Sequence, residues 1–205
     1  MAELKENLLF VSSCFSTYLD PVINPPILDA IKQLIPTTPS VQKSNLGGWQ
    51  SPAMYSPNYD NWATDRLFQN YIIPSAKRIK SAWELPSEMD TVAYWYNANP
   101  RHTYNREHTH HNAFLSGVYY LKVPANSGNI VFTRSVIEVD RMNFISQQLE
   151  KQGKDINNSR LWTQYSFKPK EGMLLLFPGH LAHYVESNLT EDEDDLRVSL
   201  SFNFF

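Results

Sequence analysis

Glu107-His108-Thr109-His110-His111-Asn112-Ala113-Phe114-Leu115-Ser116-Gly117-Val118-Tyr119-Tyr120-Leu121 is the stretch on which the reading of this chain turns. Three of the six histidines fall within four residues, and the apolar run after them reads as a buried β-strand. Residues i and i+2 of a strand share a face, so His108 and His110 project together while Thr109 and His111 alternate away. Two imidazoles side by side are a natural pair of metal ligands. On its own, the same pattern also describes two exposed histidines on an edge strand. A third ligand has to come from a distant segment. His180 and His183, in Phe177-Pro178-Gly179-His180-Leu181-Ala182-His183-Tyr184-Val185, are the candidates. His183 is the better one, because it runs into the apolar Tyr184-Val185, whereas His180 sits at the Pro-Gly turn.

A basic residue interrupts the apolar terminal strand Leu196-x-Val198-x-Leu200. By the period of two, Arg197 and Ser199 share a face. If that face is inward, a guanidinium is buried, which is costly unless an anion meets it. A bidentate Arg with a Ser hydroxyl beside it is a good receptor for a carboxylate.

Around these motifs the chain reads as an ordinary globular one. At 205 residues, 42% apolar and 19% charged, it can bury a sizeable core, and one domain is the first expectation. An aromatic content of 13% favours a β-rich fold. The formal net charge of −3 supplies no electrostatic footprint for nucleic acid. Cys14 is the single cysteine, so no intrachain disulfide forms, which fits a reducing compartment. No apolar run approaches a membrane span or a signal-peptide core. A cytoplasmic protein without a membrane partner is the simplest expectation.

Leu8 to Val11 reads as a short strand, and Pro21, Pro25 and Pro26 then break the chain. Ile27 to Ile35 has helical spacing and ends at Pro36. Thr37 to Pro57 reads as a long loop, with Trp49 either anchoring it to the core or lining an entry. Asn61 to Trp83 predicts a helix capped by Asn61, kinked or split at Pro74. Strands are expected at 91–97, 104–121, 129–132, 173–177, 182–186 and 196–204. An inserted segment from Ser135 to Tyr165 carries a helix over 140–151, its end marked by Asn157 and Asn158. The acidic run 191–195 reads as a solvated hairpin loop. The expected class is mainly β with flanking helices (α+β), a β-sandwich or jelly roll. Helical segments over about 26–83 would pack on a jelly roll over about 89–205, all within one domain, 1–205.

The pieces Gly47-Gly48-Trp49-Gln50-Ser51, His108-x-His110, Leu115 to Leu121, Leu175-Leu176-Phe177-Pro178 with His183-x-Val185, and Arg197-x-Ser199 together resemble the Fe(II)/2-oxoglutarate-dependent oxygenase superfamily, in particular a small phage and bacterial branch. The resemblance implies a double-stranded β-helix, a cupin-like jelly roll. It maps the metal and catalytic residues to His108, His110 and His183, and the co-substrate carboxylate to Arg197 with Ser199. It adds Asn97 as a co-substrate residue, and Tyr119 or Tyr120, of which alternation allows only one inside. Fe(II), 2-oxoglutarate and dioxygen are the implied cofactors, and hydroxylation with release of succinate and carbon dioxide the implied reaction. Thr37–Pro57 and Ser135–Tyr165 are candidate lids, with Trp49 and Trp162 at the entry or in the core. One departure stands out: the superfamily usually has Asp or Glu where His110 stands, and Glu107 points the wrong way in a regular strand. Three histidines also suit a cupin-like metalloenzyme that does not use 2-oxoglutarate. A non-catalytic jelly-roll binding module is the third reading. The substrate is an unidentified peptidyl side chain or small molecule, a homodimer is allowed, and in a phage-encoded protein the location would be the host cytoplasm.

Overall fold

Two antiparallel sheets face one another, and helices cover the outer face of the larger one. The computed structural model describes residues 12–85, 91–159, 161–192 and 194–205. The strand expected at Leu8–Val11 lies outside them.

The larger sheet contains β1 (Phe15–Tyr18), β3 (Trp49–Gln50), β4 (Met54–Tyr55), β5 (Val92–Asn99), β7 (Leu115–Lys122), β10 (Met173–Pro178) and β12 (Arg197–Phe204). Its order is β1-β10-β7-β12-β5-β3, with β4 also on β5. The smaller sheet contains β2 (Asn45–Leu46), β6 (Tyr104–His108), β8 (Ile130–Thr133), β9 (Gln164–Phe167) and β11 (His183–Val185), in the order β2-β6-β11-β8-β9. The helices are α1 (Asn24–Leu34), α2 (Trp62–Leu67), α3 (Ile73–Ala82) and α4 (Val136–Lys151). No described helix is long and apolar enough to cross a membrane.

Alternation on β12 organises the interior. Val198, Leu200, Phe202 and Phe204 join Ile27, Ile31, Leu67, Phe68 and Ile72 of the helical layer in one core. Each such side chain, fully buried, contributes about 1.5–3 kcal/mol. Phe68 is wedged among Tyr94 and Phe202, with ring centroids 5.2 and 5.9 Å away. The other face of β12, carrying Arg197, Ser199, Ser201 and Asn203, turns toward the smaller sheet and lines a cavity between the two sheets. A second apolar cluster includes Val118, Tyr120, Ile130, Leu175 and Phe177, and all of these but Leu175 line that cavity.

Several local expectations change. Pro25 and Pro26 do not break the chain; they lie in the first turn of α1, where a missing N–H costs nothing. Residues 37–57 are not a free loop, because β2, β3 and β4 pin them to both sheets. Sheet strands therefore also come from the segment read as helical, 26–83. Asn61 does cap α2, its side chain accepting from the N–H groups of Ala63 and Thr64. The break near Pro74 takes the form of a π-helical turn over Phe68–Ile72, after which α3 begins with the proline in its first turn. The helix α4 starts at Val136, four residues early, and ends at Lys151 as expected, before a left-handed Gly153 (φ +65°). Phe204 is core and Phe205 is exposed. Asp195, in the acidic run, pairs with Lys122 at 2.5 Å.

Candidate metal centre

β6 and β11 are hydrogen-bonded neighbours, and their register sets His183 directly opposite His108. The two ring centroids are 4.4 Å apart. His110 arrives differently from the expectation. β6 ends at His108, so His110 is in the following loop rather than two residues along one strand. That loop is fastened by backbone bonds: His110 N–H donates to Gly179 O (2.7 Å), and Phe114 N–H donates to Phe204 O (3.0 Å). Gly179 has no side chain for a reason, since a Cβ there would lie 2.1 Å from Ala113 O and 2.7 Å from His110 O. The fastening carries the His110 ring to 5.1 Å from His108 and 5.3 Å from His183.

One ligand atom from each of His108, His110 and His183 lies within 4.8 Å of the others. Among the described residues no carboxylate joins this cluster. Glu107 instead accepts a hydrogen bond from Thr133 Oγ1 at 2.9 Å. His180 and His111 are exposed and outside the cluster.

Burial keeps all three imidazoles neutral. It is the main cause that brings His183 down to about 3 and His110 to about 4, with neighbouring imidazoles adding to it. Burial lowers His108 as well. Two of the rings have their tautomer set by the backbone: Nδ1 of His108 donates to Arg106 O (2.7 Å), and Nδ1 of His183 to Leu181 O (2.9 Å). In both, Nε2 keeps a lone pair. Three neutral nitrogen donors converging in this way can hold a divalent transition metal.

The histidines stand in the wall of a cavity of about 910 Å³. Arg197 reaches into it and is only 2% exposed. Its Nη1 donates to the carbonyls of Ser127 and Glu186, while Nη2 has no partner among the described residues. Ser199 and Asn97 line the same cavity and sit opposite each other on β12 and β5. Asn97 Nδ2 donates to Ser201 Oγ (3.0 Å). Tyr120 lines the cavity too, and burial pushes its phenol up to about 12, so it stays protonated. Tyr119 does not: alternation turns it into the helical layer, where its hydroxyl donates to Asn24 Oδ1 (2.8 Å).

Neither tryptophan singled out from the sequence lines the cavity. Trp49 donates its indole N–H to Thr38 O and packs on the main core. Trp162 stacks on Tyr165. Trp95 lines the cavity instead, with its ring 6.0 Å from His110. Of the two candidate lids, residues 41–44, 50 and 53 of the first border the cavity, and none of the described residues of 135–165 does. Asn203, missed in the sequence, lines the cavity next to His110. The run of alternate residues Arg197, Ser199, Ser201 and Asn203 is the signal that could have found it.

Residues 93–203, more than half of the chain, match the family model described as "Putative 2OG-Fe(II) oxygenase". The chain belongs to the 2OG-Fe(II) oxygenase family. Solved structures agree on the fold of this oxygenase. A prolyl-4-hydroxylase from Pseudomonas putida superposes with a TM-score of 0.63 at 13% identity, covering 94% of this chain and 92% of that one. The carbocyclase SnoK from nogalamycin biosynthesis gives 0.60 at 8% identity, with 94% and 79% covered. A Trichoplax adhaerens prolyl hydroxylase in complex with a hypoxia inducible factor peptide fragment gives 0.57 at 13% identity, with 95% and 83% covered. No curated protein matches the sequence. Family membership implies Fe(II), 2-oxoglutarate and dioxygen as the oxygenase's cofactors, and its fold is the jelly roll shared by these neighbours.

Proposed function

We propose that this oxygenase is a 2-oxoglutarate-dependent hydroxylase in which His108, His110 and His183 hold the iron and Arg197 with Ser199 holds the distal carboxylate of the co-substrate. The observation that carries the reading is the buried guanidinium. Arg197 is desolvated in the same cavity as the three histidines, and one of its terminal nitrogens has no partner among the described residues. A buried cation left partly unpaired is costly by several kcal/mol unless an anion completes it. A dicarboxylate does so, and Ser199 adds a hydroxyl from the same face of β12. The donor set also fits the metal, because the three imidazoles are neutral and those of His108 and His183 carry their proton on Nδ1, which leaves a lone pair on Nε2.

When bound, iron and 2-oxoglutarate supply the oxidising chemistry, in which dioxygen is consumed, succinate and carbon dioxide are released, and one oxygen atom goes to the substrate. The chain's own residues orient and shield. The carbonyls of Arg106 and Leu181 hold two imidazoles in the ligating tautomer. Tyr120 offers a phenolic O–H that stays protonated. Val118, Ile130, Phe177 and Val185 keep one wall dry, which strengthens the interaction of Arg197 with an anion. Trp95, Gln50 and Asn97 also line the cavity, and an uncharged part of a peptidyl or small-molecule substrate would lie against them.

The absence of a carboxylate from the cluster among the described residues is the one observation that favours a three-histidine metalloenzyme not using 2-oxoglutarate. The two readings separate in one assay: succinate formed from 2-oxoglutarate under air with Fe(II). The hydroxylase reading expects turnover that is lost in His183→Ala and strongly reduced in Arg197→Met. Metal-dependent activity that ignores both 2-oxoglutarate and Arg197 would replace it.

A further inference from the structure

The three histidines are not held alike. Nδ1 of His108 and of His183 each faces the backbone carbonyl two residues earlier, an acceptor that fixes the proton on Nδ1. His110, which lies in a loop, has a side chain there instead: its Nδ1 is 3.2 Å from the carboxamide nitrogen Nδ2 of Asn203. Asn203 is buried on β12 and pairs across the sheet with Ser116 on β7. Ser116, also buried, donates from Oγ to the carboxamide oxygen Oδ1 at 2.8 Å. The two ends of the carboxamide are thus both engaged, one by a ring nitrogen and one by a hydroxyl.

Its orientation decides what His110 can do. With the NH₂ toward His110, the amide donates to Nδ1, the ring proton is forced onto Nε2, and no lone pair is left there. Turned by 180°, the carboxamide presents Oδ1 to Nδ1–H and its NH₂ to Ser116 Oγ, which accepts equally well. His110 then has the same tautomer as His108 and His183. The heavy atoms of both arrangements coincide, so the choice follows from what the ring must bind.

We infer that Asn203, anchored by Ser116, is a positioning residue that makes His110 a metal ligand by accepting its Nδ1–H through the carboxamide oxygen. This rests on the reading of His110 as part of the metal centre. It also gives the departure from a carboxylate ligand a physical counterpart: the third imidazole is supported by a dedicated polar pair rather than by its own backbone.

The test uses the full chain, metal-free, titrated with Co(II) alone against a competing chelator, with the visible d–d spectrum recorded at each step. Asn203→Leu removes the acceptor, and Asn203→Asp restores an acceptor that cannot donate. The expected result is a metal affinity about 10- to 100-fold weaker in Asn203→Leu, with an altered spectrum. Asn203→Asp should bind at least as tightly as wild type with the wild-type spectrum. Two outcomes overturn the inference while leaving the metal centre intact: Asn203→Leu binding as wild type does, or Asn203→Asp failing as badly as Asn203→Leu, since a donated amide hydrogen would then be what His110 needs. If circular dichroism shows that Asn203→Leu does not fold, the comparison of Asn203→Asp with wild type decides alone. Wild-type protein that binds no Co(II), or binds it equally well after His183→Ala, would instead overturn the metal-centre reading and this inference with it.

Discussion

Arg197→Met separates a guanidinium kept for a ligand from one kept for the fold. The substitution retains a long unbranched stem and deletes the charge. In the ligand-free protein two effects oppose each other. The carbonyls of Ser127 and Glu186 lose their shared donor, Nη1, at a cost of about 1–3 kcal/mol each if they stay dry. Against this, a cation that is 2% exposed no longer has to be desolvated, which returns several kcal/mol in a site of this kind (roughly 1–4 kcal/mol net in comparable replacements). The expected stability of the apoprotein is therefore within about 2 kcal/mol of wild type by chemical denaturation. Binding behaves differently. Removing one partner of a buried charge pair weakens association by about 2–4 kcal/mol, roughly 30- to 1,000-fold in Kd for 2-oxoglutarate. Calorimetric titration of the Fe(II)-loaded protein under anaerobic conditions measures it. The reasoning is refuted if 2-oxoglutarate binds Arg197→Met as it binds wild type, or if the apoprotein loses its fold while co-substrate affinity per folded molecule is unchanged.

Three further outcomes are expected. The metal-free protein should weaken on acidification: burial depresses His183 from 6.5 to about 3, so the unfolded chain takes up its proton first, and stability falls between those values as pH drops. At pH 5 this one residue costs about 2 kcal/mol relative to neutral pH, and His183→Leu should flatten that part of a denaturant-midpoint series. Gly179→Ala places a Cβ against the carbonyls of Ala113 and His110 and displaces the His110 loop; metal affinity should fall by about tenfold or more while far-ultraviolet circular dichroism is retained, and unchanged affinity would show that the fastening is dispensable. Asn61→Ala removes the α2 cap and should cost about 1 kcal/mol, a melting temperature about 2–4 °C lower, with metal binding untouched.

What could be read from the sequence was set by periodicity. The inward face of β12 follows from alternation, so Arg197 and Ser199 were found together, and Asn203 lay two further steps along the same face. His108 and His183 were legible as a pair only in kind; their direct opposition depends on the pairing of β6 with β11, which no local pattern encodes. His110 joined them for a different reason than the strand rule supplied. Its strand had already ended, and a loop bonded to Gly179 delivers the ring. Tyr119 and Tyr120 show the limit of alternation: it says that one is inside, but the sidedness comes from Asn24 on α1, ninety-five residues away. The segment 37–57 was misread because its strands are two residues each, too short to show a period, and they exist through pairing with long neighbours.

The central claim is that the three histidines and Arg197 form one site for iron and 2-oxoglutarate. Anaerobic addition of 2-oxoglutarate to the Fe(II)-loaded protein, followed by visible absorption, tests it most directly. The account predicts a metal-to-ligand charge-transfer band that disappears in His183→Ala and needs far higher 2-oxoglutarate in Arg197→Met. Iron that binds with no such band at saturating 2-oxoglutarate, or a band indifferent to both substitutions, would contradict it.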